Sequence, residues 1–352
     1  MNLRQALLWP LTLPYGAVTQ LRARAYRTGL LRQKRLDGVV ISVGNLTTGG
    51  TGKTPMVIWI ADRLLAEEKS VGILTRGYRG ESGESGATSD EVRLMQARLG
   101  GRVQFGVGPN RFAQGRELAG RGVEWFVLDD GFQHLQLARD VEIVLVDATN
   151  PFGGGYLLPT GRLREPHSAL ARADVIVITR SDHAPAVEAA IRRDSDAPIF
   201  YAAPHLESVR RCCGDYPGDE SKEAHKHKLF AFSGIGNPAV FPVDLREWGL
   251  NPVGYKIFPD HHRYTGRDLQ EISAEAAVAG ANALICTEKD LFNLGGVELE
   301  DIELYYCRIF LHVAQEGEFW NEILKIADSR RRLGRQGRLP LSPPNLPPSA
   351  RV

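Results

Sequence analysis

VVISVGNLTTGGTGKT, at residues 39–54, contains an apolar segment, a glycine-rich turn and the dipeptide Lys53–Thr54 in series. The glycines allow backbone N–H groups to surround phosphate oxygens, and the amino-terminus of the following helix adds partial positive charge. Lys53 would reach the β- and γ-phosphates of a nucleotide, and the Thr54 hydroxyl would bind Mg²⁺. The stretch therefore predicts a phosphate-binding P-loop. Its candidate nucleotide-binding residues are Gly49, Gly50, Thr51, Gly52, Lys53 and Thr54.

A second motif, WFVLDD at residues 125–130, is an apolar strand that ends in two carboxylates. A carboxylate at that place lies beside the phosphate loop and can hold Mg²⁺ directly or through water. Acids often follow strands, so this motif alone would be weak evidence for a metal site. It becomes informative because a P-loop precedes it in the chain. We therefore expect Asp129 and Asp130 to bind Mg²⁺ and the P-loop to bind ATP.

Short apolar segments alternate with helical stretches from residue 38 onward. They are rich in Val, Ile and Phe and lack polar alternation, which is typical of strands buried on both faces of a parallel sheet. The pattern predicts an α/β fold of the P-loop NTPase type, with a doubly wound, mostly parallel sheet that binds ligands beyond its carboxyl edge. The predicted strands of this domain are Val39–Val43, Val71–Leu74, Trp125–Leu128, Ile143–Val146, Val175–Ile178 and Ile199–Tyr201.

Changes in composition suggest the domain boundaries. A polar stretch with Gly and Pro interrupts the alternation after residue 205, and a second α/β pattern follows with strands at Leu229–Phe232 and Ala283–Thr287. After Ser329 the chain has prolines and arginines but little to bury. The expected order is a basic amphipathic segment at 1–36, a P-loop domain at 37–205, a linker at 206–228, a smaller α/β domain at 229–328 and a disordered tail at 329–352.

The overall composition is that of an ordinary globular protein, with 43% hydrophobic and 24% charged residues and a net charge of +1. We expect no nucleic-acid partner. Four cysteines are too few for a disulfide framework at this length, and their spacing does not suit zinc.

The amino-terminal segment is basic, because residues 1–36 contain seven Lys or Arg and no acid. Residues 6–18 are apolar but are interrupted by Pro10 and Pro14, so they do not resemble an ordinary transmembrane helix. A signal peptide and a helix packed on its own domain are alternatives. The charge pattern favours an interfacial helix whose apolar side enters a membrane while its arginines stay at the headgroups.

Two further groups of polar residues are ambiguous on sequence grounds. Asp90 and Glu91 precede a helical pattern and could be first-turn acids, and His261 could be a turn residue or an acid/base group. Arg76, Arg111 and Arg164 follow strands or lie in loops, where arginines could bind a phosphorylated acceptor through their planar donors. Any one of these arginines, taken alone, is more commonly a solvated surface charge than a phosphate-binding residue.

The chain resembles the tetraacyldisaccharide 4'-kinases, a family of lipid A biosynthesis in Gram-negative bacteria. The resemblance extends from about residue 8 to 293 and departs from the family pattern at Gly154 and Arg162. The motifs that support it are Gly44–Pro55, Thr75–Tyr78, Asp129–His134, Leu158–Gly161 with Leu163–Pro166, Phe258–His261 and Thr287–Asp290.

The resemblance implies a kinase that phosphorylates the 4'-hydroxyl of a tetraacylated glucosamine disaccharide 1-phosphate, on the cytoplasmic face of the inner membrane. It implies that Asp90 is the catalytic base, paired with His261, and that the amino-terminal helix attaches to the membrane. It places Glu91 in the metal shell with Thr54, Asp129 and Asp130. Together with the arginines above, the candidate acceptor-binding residues are Arg76, Tyr78, Arg111, Gln133, His134 and Arg164, of which Gln133 and His134 face the acceptor by analogy with the family.

Two alternatives come from other functional classes. P-loops also occur in GTPase switches and metallochaperone-type NTPases, and Thr179–Asp182 weakly resembles the guanine-reading Asn-Lys-x-Asp motif. A membrane-bound ATP-binding adaptor is the other alternative, and the paired acids beside the loop argue against it.

Overall fold

The structure is a computed structural model, and it describes residues 3–77, 89–212, 218–295 and 302–335. The α-helices are α1 (Leu3–Arg27), α2 (Lys53–Ala66), α3 (Asp90–Leu99), α4 (Arg111–Gly120), α5 (Pro185–Ile191), α6 (Ser221–Ala224), α7 (Phe241–Glu247), α8 (Gly266–Val278), α9 (Glu288–Leu291) and α10 (Glu316–Arg335). The strands are β1 (Val39–Asn45), β2 (Val71–Thr75), β3 (Gln104–Val107), β4 (Trp125–Asp129), β5 (Val141–Asp147), β6 (Val175–Thr179), β7 (Ile199–Arg211), β8 (Leu229–Ser233), β9 (Gly254–Ile257), β10 (Ala283–Thr287) and β11 (Glu303–Val313).

The chain forms two compact units. The larger unit consists of Met1–Tyr78, Leu99–Ala203 and Leu311–Val352, and the smaller unit of Arg79–Arg98 and Pro204–Phe310. The chain therefore enters the smaller unit twice. This division differs from the predicted domains, because α3 groups with the smaller unit and α10 with the larger one.

The larger unit contains a parallel sheet in the order β3-β2-β4-β1-β5-β6-β7, which confirms the predicted α/β class. Strands β1 and β5 are buried along their full length, as their runs of apolar residues predict. β1 lies between β4 and β5, and its register pairs Val43 with Asp129. The carboxyl ends of β1 and β4 therefore lie side by side, and ligands of such sheets bind beyond that edge.

The smaller unit contains a parallel sheet in the order β11-β10-β8-β9. Buried side chains from its strands and helices form its core, among them Phe232, Ile272, Ile285 and Tyr305. Strands β3 and β9 have four residues each and are mostly half-buried, so their sequences show no clear strand pattern.

The predicted linker and tail are corrected by the structure. Residues 206–211 belong to β7, and α6 lies at Ser221–Ala224, so parts of the predicted linker are regular structure. Helix α10 continues through Ser329 to Arg335. Its Phe319 packs on Phe200, and its Arg330 forms hydrogen bonds with the Asp174 carboxylate. The remaining residues of the predicted tail, 336–352, lie outside the described part of the chain.

Candidate active site

The glycine-rich turn leads from β1 directly into α2 in the larger unit. Gly52 is the N-cap residue of α2 and has φ 85°, a left-handed conformation that glycine adopts without strain. Lys53 is the first helical residue, so its ammonium group and the free N–H groups of the first turn lie at the same end of α2. The Thr51 hydroxyl is buried and makes no hydrogen bond within the described residues. The turn thus has the donors that a phosphate group requires.

Lys53 is held close to two residues at the carboxyl edge of the sheet. Its Nζ donates to Asn45 Oδ1 at 3.3 Å and lies 3.7 Å from Asp130 Oδ1. Asn45 is the last residue of β1 and was not predicted as a site residue. Its position in the sequence, an amide side chain at the end of a buried strand and just before the phosphate loop, could have marked it as a candidate. Asn45 positions the ammonium group that the P-loop motif predicts.

Asp129 is the last residue of β4 and Asp130 follows it, as predicted from the WFVLDD motif. Asp129 Oδ2 accepts a hydrogen bond from the Thr75 hydroxyl at 3.0 Å. Asp130 has φ 49° and receives both Nη groups of Arg164 at 2.8 Å. Burial acts to raise the pKa of Asp130, but the hydrogen bonds from Arg164 and the charge of Lys53 outweigh burial and hold the pKa far below its ordinary value. Asp130 is therefore ionised at neutral pH.

Arg164 lies in the loop after the glycine triplet at residues 153–155. Its backbone N–H donates to the Leu46 carbonyl oxygen at 2.7 Å, and its side chain binds Asn45 as well as Asp130. The pattern of arginines in the sequence suggests an acceptor-binding role for Arg164. In the structure its guanidinium forms a bidentate pair with the Asp130 carboxylate at the P-loop.

The other residues implied for the acceptor lie apart in sequence, and the structure brings most of them together in the larger unit. Arg111 Nη1 donates to His134 Nδ1 at 3.2 Å, and Gln133 Nε2 donates to the Asn45 carbonyl oxygen at 3.1 Å. Arg76 is exposed just after β2. Burial lowers the pKa of Arg111, and the charge of Arg76 adds to that lowering. Tyr78 lies outside the described residues.

His134 is expected to make the stability of the protein depend on pH. Burial, followed by the charges of Arg111, Arg139 and Arg22, lowers its pKa to about 4. The unfolded value is about 6.5, so the unfolded chain binds a proton first as the pH falls. The contribution of His134 to the free energy of unfolding is thus fully present above pH ~6.5 and is lost as the pH falls toward ~4. His134→Gln should reduce the fall in Tm between pH 7 and pH 5 by about 3 °C.

The measurement is thermal unfolding of the wild type and the variant in matched buffers across that range. His183→Gln, a change at an exposed histidine of the same unit, serves as the control. An equally steep pH dependence in wild type and His134→Gln would contradict the assignment.

Asp90 and His261 form a hydrogen-bonded pair inside the smaller unit. His261 Nδ1 lies 2.9 Å from Asp90 Oδ2 and 3.1 Å from Oδ1. The Asp90 side chain is 4% exposed and that of His261 is 24% exposed. Burial acts to raise the pKa of Asp90, but the hydrogen bond from His261 and the charge of Lys289 outweigh it and lower the pKa to about 2. The same hydrogen bond raises the pKa of His261 above its ordinary value.

The predicted boundaries place Asp90 in the P-loop domain (37–205) and His261 in the smaller α/β domain (229–328), so the sequence predicts that domain closure assembles the pair. The structure corrects this expectation. Both belong to the smaller unit and are already in contact, because α3 groups with that unit. Asp90 also acts as a first-turn acid of α3, since its Oδ1 accepts the backbone N–H of Glu91 at 3.0 Å.

Two neighbours of Asp90 were missed at the sequence level. Asn293 Nδ2 donates to Asp90 Oδ2 at 3.2 Å, and Lys289 Nζ lies 3.7 Å from the same oxygen. Lys289 belongs to the Thr287–Asp290 motif, to which the sequence assigned no role. A Lys and an Asn near a short helix form no recognisable sequence motif. Their proximity to Asp90 therefore could not be predicted without the fold.

The residues proposed for a metal divide between the units. Thr54, Asp129 and Asp130 belong to the larger unit, whereas Glu91 belongs to the smaller one. Within the described ranges, no group of three or more His, Cys, Asp or Glu side chains could hold a metal ion. A hydroxyl and one or two carboxylates are hard oxygen donors, and Mg²⁺ in nucleotide sites takes its other ligands from phosphates and water. The donor set of the larger unit therefore fits Mg²⁺.

Helix α1 packs on the larger unit with one side and leaves apolar side chains on the other. The Tyr15 hydroxyl donates to the Arg164 carbonyl oxygen at 3.0 Å, and Tyr26 is buried. Among the described helices, none combines the length and hydropathy needed to cross a bilayer. Large apolar side chains of α1 are nevertheless exposed, namely Trp9, Leu11, Leu13, Val18 and Leu21.

The chain is similar to proteins of one family over most of its length. A family model described as tetraacyldisaccharide-1-P 4'-kinase (LpxK) matches residues 4–328. The tetraacyldisaccharide 4'-kinase of Geobacter metallireducens is 40% identical over 323 residues, which cover 86% of this chain and 92% of that protein. The enzyme of the same description from Desulfotalea psychrophila is 36% identical over 324 residues, covering 85% of this chain and 90% of that protein.

A solved structure agrees with these sequence similarities. The crystal structure of the "apo" form of LpxK from Aquifex aeolicus in complex with ATP superposes with a TM-score of 0.70 at 30% identity. It covers 92% of this chain and 99% of that chain. The similarities do not favour the GTPase or metallochaperone alternative.

Proposed function

Because the chain belongs to the tetraacyldisaccharide-1-P 4'-kinase family, we propose that its larger unit holds the nucleotide and that its Asp90–His261 pair activates the acceptor. The protein is a kinase of lipid A biosynthesis that phosphorylates the 4'-hydroxyl of a tetraacylated disaccharide 1-phosphate. The observation that supports the proposed roles best is the position of Lys53, at the amino-terminus of α2 and 3.7 Å from Asp130.

The larger unit supplies the groups that bind the nucleotide. The ammonium group of Lys53 and the N–H groups at the start of α2 neutralise charge on the β- and γ-phosphates of ATP. Arg164 and Asn45 hold Asp130 and Lys53 in place before the nucleotide arrives. Positioning and charge neutralisation provide most of the catalysis in phosphoryl transfer, so this ordered arrangement is what the reaction needs.

Thr54, Asp129 and Asp130 are the residues of the larger unit that would hold Mg²⁺. When bound, the ion neutralises charge on the phosphates and orients them for transfer. Asp130 is suited to this role because it stays ionised and its side chain is 38% exposed.

Asp90 takes the proton of the acceptor hydroxyl. An alcohol is a weak nucleophile near neutral pH, so a base must remove its proton as the new bond forms. The hydroxyl oxygen bonds to the γ-phosphorus, the bond from that phosphorus to the β–γ bridging oxygen breaks, and ADP leaves. His261 orients the carboxylate by donating its Nδ1–H to it. The low pKa of Asp90 keeps the carboxylate ready to accept at neutral pH.

An assay of nucleotide use tests this function. The chain is incubated with ATP or GTP, with and without the disaccharide 1-phosphate in detergent, and nucleotide diphosphate is measured. We expect ATP to be preferred and turnover to require the acceptor. Acceptor-independent hydrolysis with a preference for GTP would instead support the GTPase alternative.

The amino-terminal helix is proposed to attach the enzyme to the cytoplasmic face of the membrane that contains its lipid substrate. The exposed apolar side chains of α1, together with arginines at its carboxyl end, suit an interfacial location. Leu13→Glu with Leu21→Glu should weaken co-sedimentation with vesicles of anionic phospholipid by about tenfold or more. Glu substitutions at the exposed Val243 and Val253 of the smaller unit are the control. Equal binding of all variants would refute a membrane role for α1.

A further inference from the structure

The Thr287–Asp290 motif places three charged side chains in a row at the start of the short helix α9. Thr287 is the N-cap residue, and its hydroxyl accepts the backbone N–H of Asp290 at 3.2 Å. Glu288 is 9% exposed and Asp290 is fully buried. Buried charges are costly unless each has a partner, so the partners of this motif show what it does.

Lys289 lies between Asp90 and the loop that contains His261. Its Nζ lies 3.7 Å from Asp90 Oδ2 and donates at 3.1 Å to Oδ1 of Asp260, the residue before His261. Burial acts to lower the pKa of Lys289, but the charges of Glu91, Asp260 and Asp90 outweigh it and raise the pKa. One cation therefore lies between the carboxylate of α3 and the loop that contains His261.

Asp290 fixes the loop of His261 from the other side. Its Oδ1 accepts the Gly234 N–H at 2.8 Å and the Tyr264 hydroxyl at 2.9 Å. The Gly234 carbonyl oxygen in turn accepts the backbone N–H of His261 at 3.1 Å. His261 has φ 59°, a conformation that a non-glycine residue keeps only when its surroundings enforce it.

Glu288 connects the motif to the far end of α3. Its Oε2 accepts Arg98 Nε at 2.9 Å, and the Arg98 guanidinium also pairs with Glu207 at 2.5 Å. Between the two ends of α3, Arg93 Nη1 donates to the Phe292 carbonyl oxygen at 2.9 Å. Helix α3 is thus tied to α9 and the residues after it at its first residue, near its middle and near its end.

We propose that the Glu288–Asp290 segment is a clamp that sets the geometry of the Asp90–His261 pair, and that Lys289 is the positioning residue that holds the Asp90 carboxylate. This inference rests on the proposed role of Asp90 as the base. Lys289 acts through Asp90, so its contribution to the rate exists only while Asp90 is present.

Replacement of Lys289 by glutamine tests the clamp. Lys289→Gln should lower kcat by about tenfold or more and leave the KM for ATP within twofold, because small displacements of a catalytic group are costly whereas the nucleotide is bound elsewhere. The matched control is Lys256→Gln. Lys256 belongs to the same unit, is equally exposed at 18% and pairs with two carboxylates, Glu271 and Glu275. It should retain kcat within twofold.

A double-mutant cycle separates positioning from a general structural role. Residual transfer of label from γ-labelled ATP is measured for Asp90→Ala with and without Lys289→Gln, normalised to the folded fraction from circular dichroism. We expect Lys289→Gln to change the rate less than twofold in the Asp90→Ala background. An equal loss in both backgrounds would overturn the proposal, because unfolding or direct substrate contact would lower both rates alike.

The cycle also distinguishes failure of the clamp from failure of the proposed function. A severe loss in Asp90→Ala with normal turnover in Lys289→Gln refutes the clamp alone. Normal turnover in Asp90→Ala refutes the role of Asp90 as the base, and the clamp with it.

Discussion

Lys53→Ala is expected to lower kcat/KM for ATP by about 10²–10³-fold, the usual effect of removing one group that stabilises charge in the transition state. The ammonium group lies at the amino-terminus of α2, is 16% exposed and is positioned by Asn45 and Asp130. No other described lysine lies in the P-loop, so the loss has no local substitute. Steady-state kinetics with varied ATP at saturating acceptor measures the effect.

Lys69→Ala is the matched control for this change. Lys69 follows the carboxyl end of α2. Its replacement removes the same charge from the same unit but leaves the phosphate loop unchanged. Its kinetics should stay within twofold of the wild type. If Lys53→Ala behaved like Lys69→Ala, the phosphate-binding role of the glycine-rich turn would have to be abandoned.

Asp90→Ala and His261→Ala are each expected to lower kcat by about two or more decades, as loss of a general base does. The affinity for ATP should change little, since both residues belong to the smaller unit and the P-loop belongs to the larger one. Because the two residues are hydrogen-bonded at 2.9 Å, their effects should not add in the double variant. Single-turnover transfer and equilibrium ATP binding together measure both quantities.

His262→Ala is the control for the second prediction. His262 is adjacent in sequence and stacks on Phe258, but its Nε2 is near Asp268 and not Asp90. It should keep kcat within a few-fold of the wild type. Near-normal turnover in both Asp90→Ala and His261→Ala would remove them from the mechanism.

The sheet and its nucleotide-binding end could be predicted from sequence because the relevant signals are local. A buried strand, a glycine-rich turn and a helix are adjacent in the chain, and so are the WFVLDD strand and its two acids. Local pattern also located Asp90 at the start of a helix. It could not assign Asp90 to a role, because first-turn acids are common and the partner, His261, is 171 residues away.

The errors have the same origin. The end of α10, from Ser329 to Arg335, is rich in arginine and resembles a polar tail in the sequence. Only the fold shows that Arg330 binds Asp174. Residues 206–211 are polar enough for a linker, yet they continue β7 because strand pairing depends on the neighbouring strands and not on the segment alone. Asn45 and Lys289 were missed for this reason too, since each becomes meaningful only beside a residue distant in the chain.

Product analysis tests the central claim most directly. The wild-type chain is incubated with γ-labelled ATP, Mg²⁺ and the tetraacyldisaccharide 1-phosphate in detergent, and the lipid and aqueous fractions are separated. We predict that label enters the lipid as a second phosphate monoester at the 4'-position, in amounts equal to the ADP formed. Label recovered only as inorganic phosphate, with the glycolipid unchanged, would contradict the account.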